Sequence, residues 1–334
     1  MSYQNVKVYY DGSHYIGIKP SQGPHGAKRR RKEEVISVEE NDTLVPKEKE
    51  IKKEEIQDIK EEKTDSPIGV KQKESVRQIT KKEYFNELYE KYEGLSRKEK
   101  KEKIVRKMKP YFKTEKQCRE FVEENFQRKK RNEIVRKERA KRKSYLQEFN
   151  YFCTFTYDGK KITEKEFKKK LKYCFWNLAK RNGWEYMGVW ERGVKNDRLH
   201  FHGLFYIPET EMVGEIEERN DYNFSEKKRV ATFQNTYFAK KFGRNDFKEI
   251  VTPSDINDSV SYLLKYIEKS GERIVCSKGV KQYFISDVLD SDVICDYGMW
   301  DCKMILSDSF NCIKDGEIMG KVSKETIRMM DKTD

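Results

Sequence analysis

Two of the four histidines in this chain, His200 and His202, stand one residue apart in the run Leu199–Phe205. If that run is a β-strand, residues two apart share a face. Leu199, Phe201, Phe205 and Ile207 then make an apolar face, and the two imidazoles point the other way, close enough to chelate one metal ion. Glu191 closes the preceding strand-like run, Trp184 to Glu191. If the two runs pair as a hairpin, its carboxylate falls opposite or diagonal to His200. Two imidazoles and one carboxylate, with positions left for water and phosphate oxygens, suit a divalent ion such as Mn²⁺ or Mg²⁺ acting as a Lewis acid. A lone His-x-His pair is more often two solvent-facing imidazoles, so the neighbours decide. Asp197, in the connecting loop, is a weaker competitor for the third ligand.

A second constellation lies downstream, in DSVSYLLKYIEKSG (258–271). Val260, Leu263, Leu264 and Ile267 give this helix an apolar stripe. Tyr262, Lys265, Tyr266 and Lys269 fall at 0, +3, +4 and +7, which places them together on one face. Two tyrosines interleaved with two lysines exceed what a structural amphipathic helix needs.

The elements that must position these groups follow from patterning. Tyr151 to Tyr157 alternates as a strand and closes at Asp158-Gly159. Thr163 and Glu166 make a capping box for a helix with Phe167, Leu171, Cys174, Phe175 and Leu178 buried, stopped by Gly183. The order strand, helix, strand, histidine strand results. Beyond it we expect an acidic loop from Pro208 to Asn223, a helix from Ser225 to Phe242, a short strand from Phe247 to Val251, and strands on the sheet edge between Ile274 and Ile305. Upstream, residues 1–26 read as a small hairpin turning at Asp11-Gly12. Residues 27–76 read as a charged, disordered linker, and 77–150 as a basic helical segment. The core domain spans 151–310 and a tail spans 311–334. The class is α+β: a central antiparallel sheet with flanking helices, plus a charged N-terminal extension.

Composition narrows the partners. Of the 334 residues, 39% are charged, and the net charge is +13. A polyanion, nucleic acid before membrane surface, is the expected partner. Residues 127–143 hold ten Lys/Arg against two Glu. Arg128, Lys129, Lys130, Arg131, Arg139, Lys141 and Arg142 are therefore candidate contacts to DNA phosphates, with Lys269 on the tyrosine helix; a solvated helix face is the alternative. The seven cysteines show no C-x-x-C spacing, which fits reduced thiols. No apolar run approaches a membrane span, so a cytoplasmic protein without a membrane partner is expected.

Together the motifs resemble the HUH endonucleases, in particular the rolling-circle replication initiators of phages and plasmids. The Phe152–Tyr157 strand, Glu191 followed by Leu199-His200-Phe201-His202-Gly203, and Tyr262-Leu263-Leu264-Lys265-Tyr266 occur in the family's order, and the resemblance covers about Tyr151 to Ser286. It implies that the tyrosine helix lies over the histidine strand. It further implies that a tyrosine attacks a phosphodiester of single-stranded origin DNA, leaving a 5′-phosphotyrosine and a 3′-OH primer, in the cytoplasm of a bacterial host. Tyr262 matches the nucleophile and Lys265 its cationic neighbour. Tyr266 matches the second nucleophile of the two-tyrosine class or is structural. A tyrosine pKa near 10 makes nearby positive charge useful. Gly316 to Lys321 has three residues between its glycines rather than the four of a phosphate-binding loop. No nucleotide cofactor is expected, and unwinding and synthesis would fall to a host helicase and polymerase. A single-strand transposase, a non-catalytic DNA-binding regulator and a generic RNA-binding protein are the rivals.

Overall fold

The computed structural model describes residues 2–20, 34–39, 76–193, 197–223, 227–270, 273–297 and 303–333. In chain order its elements are β1 (Ser2–Tyr10), β2 (Tyr15–Ile18), β3 (Val35–Glu39), β4 (Val76–Thr80), α1 (Lys81–Lys91), α2 (Arg97–Met108) and α3 (Glu115–Leu146). Then come β5 (Tyr151–Thr156), α4 (Glu164–Arg181), β6 (Glu185–Arg192), β7 (Leu199–Tyr206), β8 (Ile216–Asn223), β9 (Lys228–Asn235), α5 (Thr236–Lys241), β10 (Asn245–Glu249) and α6 (Pro253–Ser270). The chain closes with β11 (Val275–Cys276), β12 (Tyr283–Leu289), β13 (Val293–Tyr297), β14 (Lys303–Leu306), β15 (Asn311–Lys314), β16 (Glu317–Lys321), α7 (Lys324–Met329) and β17 (Lys332–Thr333). The class is α+β. No helix among the described residues is long and apolar enough to cross a membrane.

The chain divides into two compact units, Pro24–Asn132 and the remainder. In the smaller unit, β3 and β4 pair antiparallel. Tyr84, Phe85 and Leu88 of α1, Ile104 and Met108 of α2 and Cys118, Val122 and Phe126 of α3 form its core. Both α1 and α2 start at capping boxes, Thr80 with Glu83 and Ser96 with Glu99. The N-terminal half of α3 thus belongs to this unit, and the expected basic helical segment is here a packed three-helix core. Most of the charged stretch 27–76, with His25 and the Lys28–Lys32 run, lies outside the described residues; the part that is described forms β3 and the start of β4.

In the larger unit a five-stranded sheet runs β10-β5-β7-β6-β11, with every neighbour antiparallel. The histidine strand β7 is therefore central. One face is covered by α4. Phe167, Leu171, Phe175 and Leu178 interlock there with Phe155, Trp190, Phe201 and Phe205, all buried. Gly188 and Gly203 face each other across β6 and β7, and a Cβ at either would meet the rings of Phe201 or Phe205 within 3.0 Å. Two glycines at that point let bulky rings lie flat on the sheet. The other face receives α6, whose Val260, Leu263 and Ile267 bury against Met187, Val189 and Leu204.

Three expectations change. The stretch from Ser225 to Phe242 is not one helix: its first half is β9, paired along its whole length with β8, and only Thr236–Lys241 is helical. The acidic loop from Pro208 to Asn223 correspondingly contains β8. Val230, Phe233, Tyr237 and Phe238 imitate helical spacing, yet Phe233 is 44% exposed and Phe238 fully buried, so the apparent stripe belongs to two elements. The N-terminal hairpin forms as expected, with Asp11 Oδ1 accepting the N–H groups of Ser13 and His14. It is not a separate body, however: β1 pairs with β12 and β2 with β14. The strands after Ile274 accordingly leave the five-stranded sheet after β11 and build an eight-stranded sheet with the hairpin. Residues 311–334 add β15, β16, α7 and β17 to it rather than forming a tail.

Candidate active site

The register of β6 and β7 sets Glu191 directly opposite His200 and Val189 opposite His202. On the other side, β5 sets Thr156 opposite His200 and Thr154 opposite His202. Cross-strand partners on one face lie within side-chain reach, and the hydroxyls use it. Thr154 Oγ1 is 3.0 Å from His202 Nδ1, and Thr156 Oγ1 is 3.1 Å from His200 Nδ1. Each imidazole is thus held through Nδ1, and Nε2 is the nitrogen left for other work. His202 Nε2 is 3.0 Å from Glu191 Oε2, with both side chains almost completely buried. Burial, followed by the proximity of His202, pushes the His200 pKa down to about 4. His200 is therefore a neutral imidazole at physiological pH, the form a metal ion needs.

Above this floor sit the tyrosines of α6. The Tyr266 ring stacks on the His202 ring at 5.1 Å between centroids and 6° between planes. The Tyr262 ring meets His202 edge-on at 5.4 Å and Tyr266 at 4.8 Å. Burial raises the Tyr266 pKa strongly, and hydrogen bonds to Tyr262 and Glu191 raise it further. Tyr266 stays protonated. Tyr262 is 38% exposed and lines a cleft of about 430 Å³ with Thr154, Thr156, Glu191, His200 and His202.

The cleft also contains residues that sequence reasoning did not single out. Tyr222 of β8 and Arg244, just before β10, line it beside Asp246. Arg244 forms an ion pair with Asp221 at 2.9 Å. Asp246 Oδ1 accepts the N–H of Phe233, and burial raises its pKa. Phase on β5 put Thr154 and Thr156 on a common face, but their bonding to the imidazoles depends on which strand lies beside them. Arg244 carries no local signal at all.

The structure thus brings Glu191, His200, His202, Tyr262 and Tyr266 together. Lys265 is exposed on the same helix, and the side chain of Lys269 lies outside the described residues. None of Arg128, Lys129, Lys130, Arg131, Arg139, Lys141 and Arg142 lines the cleft. The Lys129 ammonium sits 5.0 Å from the Tyr89 ring centroid, and the Arg142 guanidinium 4.5 Å from that of Tyr9. Lys130, Arg131 and Arg139 are exposed, as a phosphate contact requires. Asp197 bonds toward Arg192 in its loop.

Among the described residues, no group of three His, Cys, Asp or Glu side chains is already arranged as a metal cage. The donor set nevertheless fits a divalent ion: two neutral imidazoles with Nδ1 tethered, and a carboxylate that now occupies itself with His202 Nε2. Outer hydroxyl partners of this kind fix ring orientation in metal sites. A threonine hydroxyl can also donate or accept, so Thr154 serves either tautomer of His202. With Nε2 protonated the ring binds Glu191; with Nδ1 protonated Nε2 offers its lone pair.

Residues 150–271 match the family model of the replication-associated protein ORF2. The matched span contains every residue of the cleft, and it supports a role in replication initiation. No curated protein and no solved structure matches the chain.

Proposed function

We propose that the larger unit is a metal-dependent tyrosine nuclease of the HUH type. It nicks single-stranded origin DNA and so starts rolling-circle replication. The observation that carries this reading is the convergence of Tyr262 with the Glu191, His200 and His202 floor of one cleft.

Tyr262 Oη attacks the phosphorus of one phosphodiester, and the bond from phosphorus to the 3′ oxygen breaks. The phenol loses its proton and the departing oxygen gains one, giving a 5′-phosphotyrosine and a 3′-OH primer. The covalent link conserves bond energy for rejoining when a later 3′-OH attacks the same phosphorus. A divalent ion bound by His200, His202 and Glu191 would neutralise charge on the phosphoryl oxygens. Tyr266, held protonated against Glu191 and Tyr262, acts as a hydrogen-bond donor that positions them rather than as the first nucleophile. Arg244 at the rim offers a fixed cation to the phosphate chain, Lys265 adds positive field on the exposed side of α6, and Tyr222 offers a ring face to a flanking base. Strand separation and synthesis past the nick fall to a host helicase and polymerase.

The test is incubation of the full chain with single-stranded origin DNA and Mn²⁺, followed by mass spectrometry of the peptide that carries the nucleotide. Tyr262 should carry it. Tyr262→Phe should abolish the adduct while Tyr266→Phe retains some. An adduct on Tyr266 alone would reverse the two roles, and no adduct with any variant or metal would end the nuclease reading.

A further inference from the structure

The outer surface of α4 lies across the five-stranded sheet from the cleft, because its inner face packs on Phe155, Trp190, Phe201 and Phe205 while the imidazoles point to α6. Four residues on that outer surface, Lys169, Tyr173, Trp176 and Lys180, follow one another at +4, +3 and +4. That spacing stacks them along a single stripe of the helix. All four are exposed. Tyr173 is 64% exposed and Trp176 47%, whereas Trp184 and Trp190 are each 1% exposed. A tryptophan and a tyrosine left this open contribute little to folding. Their rings lie nearly parallel, 5.9 Å apart with 22° between planes, and the Lys180 ammonium stands 5.3 Å from the Trp176 ring.

The charge around the stripe is one-signed. From Lys169 to the end of α4 the helix holds Lys169, Lys170, Lys172, Lys180 and Arg181 and no acid. Beside Tyr173 opens a depression of about 800 Å³, lined among others by Lys169, Lys170, Arg181 and Lys241. The acid in its wall, Glu166, is taken up by the helix cap at Thr163 and by Lys170.

We infer that this stripe is a second binding surface for single-stranded DNA, with bases stacking on Tyr173 and Trp176 and phosphates running past the lysines. Exposed ring faces recognise unstacked bases of any sequence, and flanking cations follow the backbone. Duplex DNA keeps its base faces covered, and an acidic peptide would satisfy the lysines but leave the rings unused. The surface lies outside the nicking cleft and does not depend on whether that cleft cuts DNA. Holding a further stretch of the same strand would raise the effective concentration of the target phosphate at the cleft.

Binding of oligothymidine to the full chain in EDTA, where no metal-dependent cleavage occurs, tests the inference. Trp176 fluorescence should be quenched on binding, and Trp176→Phe should lose the quenching while keeping most of the affinity. Tyr173→Ala with Trp176→Ala should weaken binding at least about tenfold, as loss of base stacking requires. Lys169→Gln with Lys180→Gln should lower the slope of log K against log salt by roughly 1.4, about 0.7 for each phosphate no longer neutralised. An oligonucleotide carrying iodouracil should photocrosslink to the peptide that contains Tyr173 and Trp176. Covalent adduct formation at Tyr262 on a short oligonucleotide should remain in the double alanine variant, so failure here is separable from failure of the nuclease reading. Wild-type affinity in the double alanine variant, with no crosslink to α4, would overturn the inference. So would poly-glutamate binding as tightly as the oligonucleotide and competing with it.

Discussion

Replacing Thr154 with Val exchanges a hydroxyl for a methyl group of nearly the same size on the central sheet. The exchange removes the 3.0 Å bond to His202 Nδ1, on a side chain that is 7% exposed. A buried polar nitrogen left without its partner costs about 1–3 kcal/mol, and valine's preference for strands recovers a few tenths. The metal-free protein should therefore lose on the order of 1–2 kcal/mol of stability. The larger effect falls on ion binding. Without the hydroxyl, nothing selects the tautomer that turns the Nε2 lone pair toward the cleft. Loss of an outer-shell partner of this type weakens metal affinity by about 10–100-fold, equivalent to about 1.4–2.8 kcal/mol. Titration of Mn²⁺ by calorimetry, beside thermal unfolding without metal, measures the two effects separately. Thr154→Ser should restore affinity because it restores the hydroxyl. Thr156→Val should cost less, since His200 is only half-buried. If Thr154→Val bound Mn²⁺ as the unaltered protein does, the hydroxyl would have no part in orienting the ring.

Four further outcomes follow from the same geometry. Gly188→Ala would place a Cβ 2.4 Å from both the His202 carbonyl oxygen and the Phe201 ring; overpacking against backbone should cost at least about 1–3 kcal/mol in chemical denaturation and disturb Mn²⁺ binding with it. Phe201→Ala empties a fully buried position ringed by Phe155, Phe175 and Trp190 and should cost about 3–5 kcal/mol by the same measurement. His202→Ala should abolish Mn²⁺-dependent nicking while leaving oligonucleotide binding measurable in a filter assay; unchanged nicking would remove His202 from the site. Deleting residues 1–18 strips Val6 and Val8, both fully buried, from between β12 and β14. The shortened chain should show a lower melting temperature and light scattering from exposed strand edges, and an unaltered melt would show that the hairpin is dispensable.

The parts of the fold that were legible in the sequence carry their own local signals. The Thr163–Glu166 box caps α4 as its spacing implied, and the alternation around His200 and His202 put both imidazoles on one face because β7 is flanked on both sides. Two kinds of feature carried no such signal. The β8–β9 ribbon is a two-stranded pair with much of its surface in solvent, so its strands need no apolar alternation, and its valine and phenylalanines fall by accident at helical spacing. The other kind depends on which distant segment lies alongside. Thr154 and Thr156 became imidazole partners, and β1 a partner of β12, through long-range pairing that no window of neighbouring residues records.

That pairing has a kinetic consequence. Asn5 N–H donates to Asp287 Oδ1 at 2.8 Å across a separation of 282 residues, and the ladder between β1 and β12 runs beside it. The segment made first on the ribosome cannot complete its sheet until β12 and β14 have emerged. The chain between them, which carries the cleft, can meanwhile assemble its own sheet. Loop closure over so long a contour is slow, and the waiting hairpin leaves edges exposed throughout synthesis. Refolding from denaturant should accordingly show an early phase that forms the five-stranded sheet and a late one that joins the two chain ends.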